Sequence, residues 1–187
     1  ILDNLQTNSY IRLPDDCEDV VGRFGSRLRL KLVERYPEEA KPLPIQGRFY
    51  QFDGTLEVTG QRLSFQETPN VPRGTGWNVW DGALLLAQYL QANPTTVRGL
   101  RVVELGAGCG VAGLAAAALG AQRVVLTDLP EVLPSLQANI DRNRQALSNA
   151  SIECHLCDWF QPPQDLLARP WDVVLVADCV WMKYLVA

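Results

Sequence analysis

The stretch RVVELGAGCGVAGLAAAALGAQRVVLTD, Arg101–Asp128, decides the fold. A run of branched apolar residues reads as a buried strand. It breaks into a glycine-rich turn, a small-residue helix follows, and a second apolar run closes on an aspartate. Strands of continuous Val and Leu, with no polar alternation, belong to a parallel sheet covered on both faces. In such a sheet ligands bind at the carboxyl ends of the strands where strand order reverses, normally beside the first strand. The segment GAGCG stands at that place.

Outward from this unit the alternation continues. A helix is expected from Pro130 to about Ala146, a strand over 152–156, a proline-rich loop, and a strand over 171–177. Upstream, NVWDGALLLAQYLQAN (78–93) reads as a helix that is apolar on nearly every side and therefore buried. The fold class is α/β. From Arg48 the period changes to two: FYQF, TLEV and QRLSF are separated by Asp53-Gly54 and Thr59-Gly60, dipeptides that supply positive-φ turns. This predicts a three-stranded antiparallel meander, which must lie against the main domain because such a hairpin does not hold alone in water.

Residues 1–45 say less. Val20, Phe24, Leu28, Leu32 and Tyr36 recur at helical spacing before Pro37, while RLRLKLV also alternates at strand spacing. The Arg23, Arg27, Arg29, Lys31 and Arg35 cluster reads as a solvated face, and PEEAKPLP as a linker. The expected organisation is an accessory region over 1–75 and a ligand-binding domain over 76–187.

The 187 residues suffice for one domain with a real core, and the hydrophobic and charged fractions, 47% and 20%, are those of a globular protein. A net charge of -4 offers no general attraction for phosphate backbones, so nucleic acid is not expected as a partner. The longest apolar run, Val111 to Ala121, falls short of the ~20 residues of a membrane span, and no secretory leader is visible; the reading is cytoplasmic, with the nucleus open. Five scattered cysteines fit a reducing compartment. Cys154 and Cys157 have C-x-x-C spacing around His155, but no second pair completes a tetrahedral set, so they read as buried thiols and no metal site is expected.

Gly106, Gly108 and Gly110 remove the side chains that would hold a ligand off the backbone, and N–H groups at the following helix start can donate to it. Asp128, about twenty residues along at the tip of the next strand, is placed to accept from two ribose hydroxyls. A dinucleotide is one candidate, since Gly108, Gly110 and Gly113 spell G-x-G-x-x-G. That register starts two residues past the strand end, and counted from Gly106 the sixth position is Val111. Glu104 would repel a pyrophosphate and suit an ammonium or a sulfonium.

VVELGAGCG with LTDLP, CDW and DVVLVADCVW, preceded by VWDGALLLAQYL, resembles the class I S-adenosylmethionine-dependent methyltransferases, and among them the lysine methyltransferase group of the methyltransferase-like 21 type. The likeness runs from about Arg48 to the end. It implies a Rossmann-like sheet of seven strands, the last three of which should follow Ala187. On that expectation the chain is incomplete, held by a partner, or weakly folded.

The resemblance also implies roles. Trp80 lies beside the cofactor, S-adenosyl-L-methionine. Gly106, Ala107 and Gly108 hold its methionine part and ribose with Glu104 behind them, and Asp128 binds the ribose. Asp158 and Trp159 lie along the adenine, and Ala177 closes the pocket. Asp178 and Trp181 form the acceptor end, with Trp181 standing where the group usually has tyrosine. The implied activity is methyl transfer to a lysine of a protein substrate. The alternatives are a small-molecule acceptor, an NAD-dependent oxidoreductase, or a catalytically idle module that docks a partner through the meander.

Overall fold

A computed structural model describes residues 52–68 and 75–179. In chain order these form strands β1 (Thr55–Val58) and β2 (Gln61–Ser64), helix α1 (Asp81–Ala92), a 3-10 turn at Pro94–Thr96, strand β3 (Arg101–Leu105), helix α2 (Val111–Ala118), strand β4 (Arg123–Asp128), helix α3 (Leu133–Asn143), strand β5 (Ser151–Leu156), helix α4 (Gln164–Leu167) and strand β6 (Val173–Val176).

β3, β4, β5 and β6 make one parallel sheet in the order β5-β4-β3-β6. The chain adds strands to one side of β3 and then crosses to the other, so strand order reverses at β3. Alternate residues face opposite layers, as a strand's two-residue period requires. Val102, Val124, Leu126, Val173 and Leu175 join the larger core with α1, α2 and α3, while Val103, Leu105, Val125 and Val174 meet Leu166 and Trp171 on the other face. Trp171 buries its indole there and donates its N–H to the carbonyl of Leu166 at 2.9 Å. Arg101 grips Asp172 with two guanidinium bonds of 2.8 Å and a main-chain bond of 2.9 Å, which fixes where β6 enters beside β3.

β1 and β2 pair antiparallel around Thr59 (φ 50) and Gly60 (φ 79), a two-residue turn of the positive-φ kind that the T-G signal demands. Val58, Leu63 and Phe65 enter the larger core, so the hairpin shares its hydrophobic centre with the sheet. Of the third meander strand, Arg48–Gln51 lie outside the described residues, and Phe52 is not in a strand but packs on Phe65 with ring centroids 6.0 Å apart. The N-terminal helix, its basic cluster and the linker also lie outside them.

Several boundaries differ from expectation: the helix read over 78–93 spans Asp81–Ala92, and the strands read over 152–156 and 171–177 span Ser151–Leu156 and Val173–Val176. The helix expected from Pro130 begins at Leu133, because Leu129–Val132 first close a turn in which the Val132 N–H donates to the Leu129 carbonyl at 3.0 Å. The proline-rich loop also holds α4, whose four residues are too few to show a helical period in sequence. Among the described residues no helix is long and apolar enough to cross a membrane.

Candidate functional site

Every strand of the parallel sheet delivers a candidate residue to the same edge. The turn after β3 carries Gly106–Gly110, β4 ends on Asp128, Asp158 and Trp159 follow β5, and Ala177 and Asp178 follow β6. All of these except Gly110 line a single cavity of about 580 Å³, together with Trp80 and Glu104. All nine cofactor candidates and Asp178 are thus brought together, and Trp181 lies outside the described residues. Trp77, Glu131 and Phe160 also line the space, and sequence reasoning had not singled them out.

The chemistry of the lining is one-sided. Glu104, Asp128, Glu131, Asp158 and Asp178 contribute five carboxyl groups, Trp77, Trp80, Trp159 and Phe160 contribute four aromatic rings, and no Lys, Arg or His is among the described lining residues. Such a space favours a cation with a flat apolar part and opposes a polyanion.

The glycine turn takes its shape from local demands. Gly106, Gly108 and Gly110 all have positive φ (62, 54 and 82), where a side chain would be strained. Gly106 is also crowded: a Cβ there would lie 2.7 Å from Cys179 Sγ and 3.1 Å from the Trp159 ring, so the bare backbone lets both close over the turn. Burial pushes the Cys179 thiol up, and the group sits 2.9 Å from the Leu105 carbonyl as a neutral S–H.

Three N–H groups of the glycine turn itself are already used within the protein. The Gly108 N–H donates to Asp128 Oδ2 at 2.7 Å, the Ala107 N–H to the Thr127 carbonyl at 2.9 Å and the Gly110 N–H to the Ala107 carbonyl at 2.7 Å. Asp128 also accepts from the Leu129 N–H through Oδ1 at 2.8 Å. A carboxylate has about four acceptor directions, so capacity for hydroxyl donors remains. Burial raises its pKa, opposed by these two main-chain bonds.

Glu104 is almost fully buried, and its Oε2 accepts from the Gly113 N–H at 2.8 Å near the start of α2. Desolvation pushes its carboxyl up to about 8, and the nearby Asp128 charge adds to that. Gly113 is required there because a Cβ would fall 2.1 Å from Leu126 Cδ2 and 2.6 Å from Glu104 Oε2. This is the close helix–strand approach that the third glycine of a dinucleotide fingerprint also serves, which accounts for the G-x-G-x-x-G spacing without any pyrophosphate.

Trp80 immediately precedes α1, and its indole N–H donates to the Thr75 carbonyl at 2.8 Å, which fixes the ring at the cavity wall. Asp178 has φ 52, a left-handed conformation tolerated by aspartate more than by most residues. Its Oδ2 accepts from the Gly82 N–H in the first turn of α1. Burial raises its pKa, the Gly82 bond lowers it, and Asp81 raises it.

Cys154 and Cys157 face opposite layers of the sheet, as their spacing implies. Burial pushes Cys157 up to about 11, and among the described residues no cluster of His, Cys, Asp and Glu has metal-holding geometry.

A family model described as lysine methyltransferase matches residues 58–187. A protein-lysine N-methyltransferase, rrg1, from Schizosaccharomyces pombe is 33% identical over 157 residues, 80% of this chain and 51% of the relative. EEF1A lysine methyltransferase 3 from Mus musculus is 36% identical over 152 residues, 80% and 64% of the two chains. Calmodulin-lysine N-methyltransferase from Arabidopsis thaliana is 35% identical over 106 residues, 56% and 35% of the two chains. The chain therefore spans between about a third and two thirds of the length of these relatives. Among solved structures, a putative RNA methyltransferase from Pyrococcus horikoshii overlays 56% of this chain and 49% of its own at 20% identity with a TM-score of 0.38, a likeness too partial to bear on substrate.

Proposed function

The chain belongs to the lysine methyltransferase family, and from that premise we propose that it transfers a methyl group from S-adenosyl-L-methionine to the side-chain amine of a lysine in a protein substrate. The observation that carries the proposal is the cavity at the edge of β3: five carboxyl groups, four aromatic rings and no cation among its described lining. A sulfonium nucleoside fits that character, because its charge meets carboxylates and its base meets flat apolar rings.

The residues divide the work by position. Asp128 accepts from the ribose hydroxyls at the tip of β4, Trp159 offers a flat face to the adenine and Asp158 accepts from its amino group. Gly106, Ala107 and Gly108 let the methionine part approach the backbone, with Glu104 as a carboxyl beneath it and Trp80 and Ala177 as walls. When bound, S-adenosyl-L-methionine supplies a methyl group whose bond to sulfur breaks as the amine nitrogen bonds to its carbon, so that the positive charge passes to the amine and a neutral thioether leaves.

For such an in-line displacement the protein's main contribution is alignment in a dry pocket. The acceptor lysine must be neutral when it attacks, and releasing its proton costs about 4–5 kcal/mol near pH 7. Partial desolvation lowers that cost. Asp178 draws the incoming ammonium to the mouth by charge and orients it.

An NAD-dependent oxidoreductase is disfavoured because a pyrophosphate would enter a space lined by carboxyl groups with no compensating cation among the described lining residues. Incubation with a donor carrying an isotopically labelled methyl group and a cell extract tests the proposal. Labelled methyl-lysine in protein hydrolysates, lost with Asp178→Ala, is the expected result. A protein that binds the donor and labels nothing is an idle module, and the proposal then fails.

A further inference from the structure

β2 has an outer edge that β1 does not pair. The main-chain groups of Ser64, Gln66 and Thr68 point along it, two residues apart, as a strand's period dictates. An open edge of this kind normally invites another strand. Here two side chains of α3 take the place of one. Asn143 accepts from the Ser64 N–H through Oδ1 and donates through Nδ2 to the Ser64 carbonyl, both at 2.8 Å. One helical turn earlier, Asn139 accepts from the Gln66 N–H at 2.8 Å and donates to the Gln66 carbonyl at 3.2 Å.

The spacing explains the match. Four residues of helix advance about 6 Å, and two residues of strand about 6.6 Å, so amides one turn apart meet alternate strand residues in register. Both asparagines are buried on the core-facing stripe that also carries Leu136 and Ile140. Buried amides there would be costly if left unpaired, and each makes these two bonds and one more through its second N–H. The edge then continues into the cavity wall, where the Thr68 N–H donates to the Trp77 carbonyl at 3.0 Å.

The two asparagines differ in their last bond. Asn143 spends its second N–H on the carbonyl of Asn139, inside its own helix, at 2.8 Å. Asn139 gives its second N–H to the carbonyl of Cys109, in the glycine turn, at 3.2 Å. We propose that Asn139 is a positioning residue for the methyl donor: by bonding Gln66 and Cys109 at once, it ties the glycine turn to the hairpin edge and holds the turn in its binding shape. Asn143 secures the hairpin alone.

This inference rests on the donor-binding reading of the glycine turn, so its test has one arm that needs no ligand. Asn139→Asp and Asn143→Asp are close to isosteric: each keeps an acceptor for the strand N–H and loses the donors. Hydrogen exchange in the unliganded full chain is followed in the peptide covering Gly106–Ala112, alongside thermal melting. Both variants should melt lower, but only Asn139→Asp should speed exchange of the glycine turn. Calorimetry with S-adenosylhomocysteine should then show about tenfold weaker binding for Asn139→Asp, as expected for loss of the one bond that reaches the glycine turn, and within twofold of wild type for Asn143→Asp. If the two variants exchange and bind alike, Asn139 has no positioning role and the inference falls. If wild type binds no S-adenosylhomocysteine, the cofactor reading falls while the exchange arm still decides whether Asn139 orders the turn. Should Asn139→Asp not fold, Asn139→Ser is compared with Asn143→Ser by the same two readouts.

Discussion

Asp178 Oδ2 accepts the N–H of Gly82 at 2.7 Å, joining the tip of β6 to the first turn of α1 across 96 positions of sequence. The residue that precedes α1, Trp80, makes no side-chain capping bond of its own, so a carboxylate from another element does that work. A Cβ on Gly82 would lie 2.5 Å from the same oxygen, so the glycine of V-W-D-G exists to admit the aspartate. The cap connects the β6 side of the cavity to the helix that follows Trp80.

Two properties of Asp178 can therefore be separated. Asp178→Asn keeps an acceptor for Gly82 and removes the charge; it should melt close to wild type and turn over at least tenfold more slowly with donor affinity unchanged. Asp178→Ala loses the cap as well and should be less stable by about 1–2 kcal/mol. Gly82→Ala should resemble Asp178→Ala, since its Cβ displaces the carboxylate. Melting curves with steady-state turnover check this, and equal stability of the Asn and Ala variants would contradict the capping role.

Asp128 holds the turn and, on the proposed reading, the ribose. Replacing it with Ala removes a charged acceptor of up to two hydroxyl bonds and frees the Gly108 and Leu129 N–H groups. At roughly 1.5–3 kcal/mol per bond to a charged group, donor affinity should fall at least 100-fold. Asp128→Asn should fall between the two. Calorimetric titration reads this directly, and an Asp128→Ala protein with wild-type affinity would remove Asp128 from the site.

Glu104 gives the site a pH dependence. Its carboxyl is pushed up to about 8 by burial, whereas in the unfolded chain it ionises near 4.5. The native state thus holds a proton that the unfolded chain has released, and this contribution to stability is complete below about pH 4.5 and lost as pH rises through 8. A cationic ligand favours the ionised form, so binding should expel that proton. The ratio of wild-type to Glu104→Gln donor affinity should rise about fivefold between pH 7 and pH 8 and level off above. A ratio independent of pH would show that Glu104 does not sense the ligand.

Gly113 carries a prediction about the fold alone. Gly113→Ala would drive a Cβ into Leu126 and Glu104, and about 1–3 kcal/mol of destabilisation is expected from such overpacking. An unchanged melting temperature would mean that α2 and β4 can move apart freely.

Much of the frame was legible because its signals are local. β3 and β4 form where continuous Val and Leu runs stand, cut off by Gly106 at one and closed by Asp128 at the other. Gly106, Gly108 and Asp128 were legible for the same reason, as they stand at strand tips, whereas Trp80, Asp158, Trp159 and Ala177 were read only through the family resemblance. What escaped reading depends on distant partners. Trp77, Glu131 and Phe160 reach the cavity only through tertiary placement, and α4 was too short to announce itself. Asn139 and Asn143 did leave a trace: two amides four residues apart on an apolar stripe signal buried polar groups that need partners, though not which partners.

On the proposed reading the cavity beside β3 receives a sulfonium nucleoside and refuses a dinucleotide. Calorimetric titration of the full chain with S-adenosylmethionine and, in parallel, with NAD tests it most directly. One equivalent of S-adenosylmethionine should bind, with the signal lost in Asp128→Ala, and NAD should give no heat; NAD binding, or no binding of S-adenosylmethionine, would contradict the account.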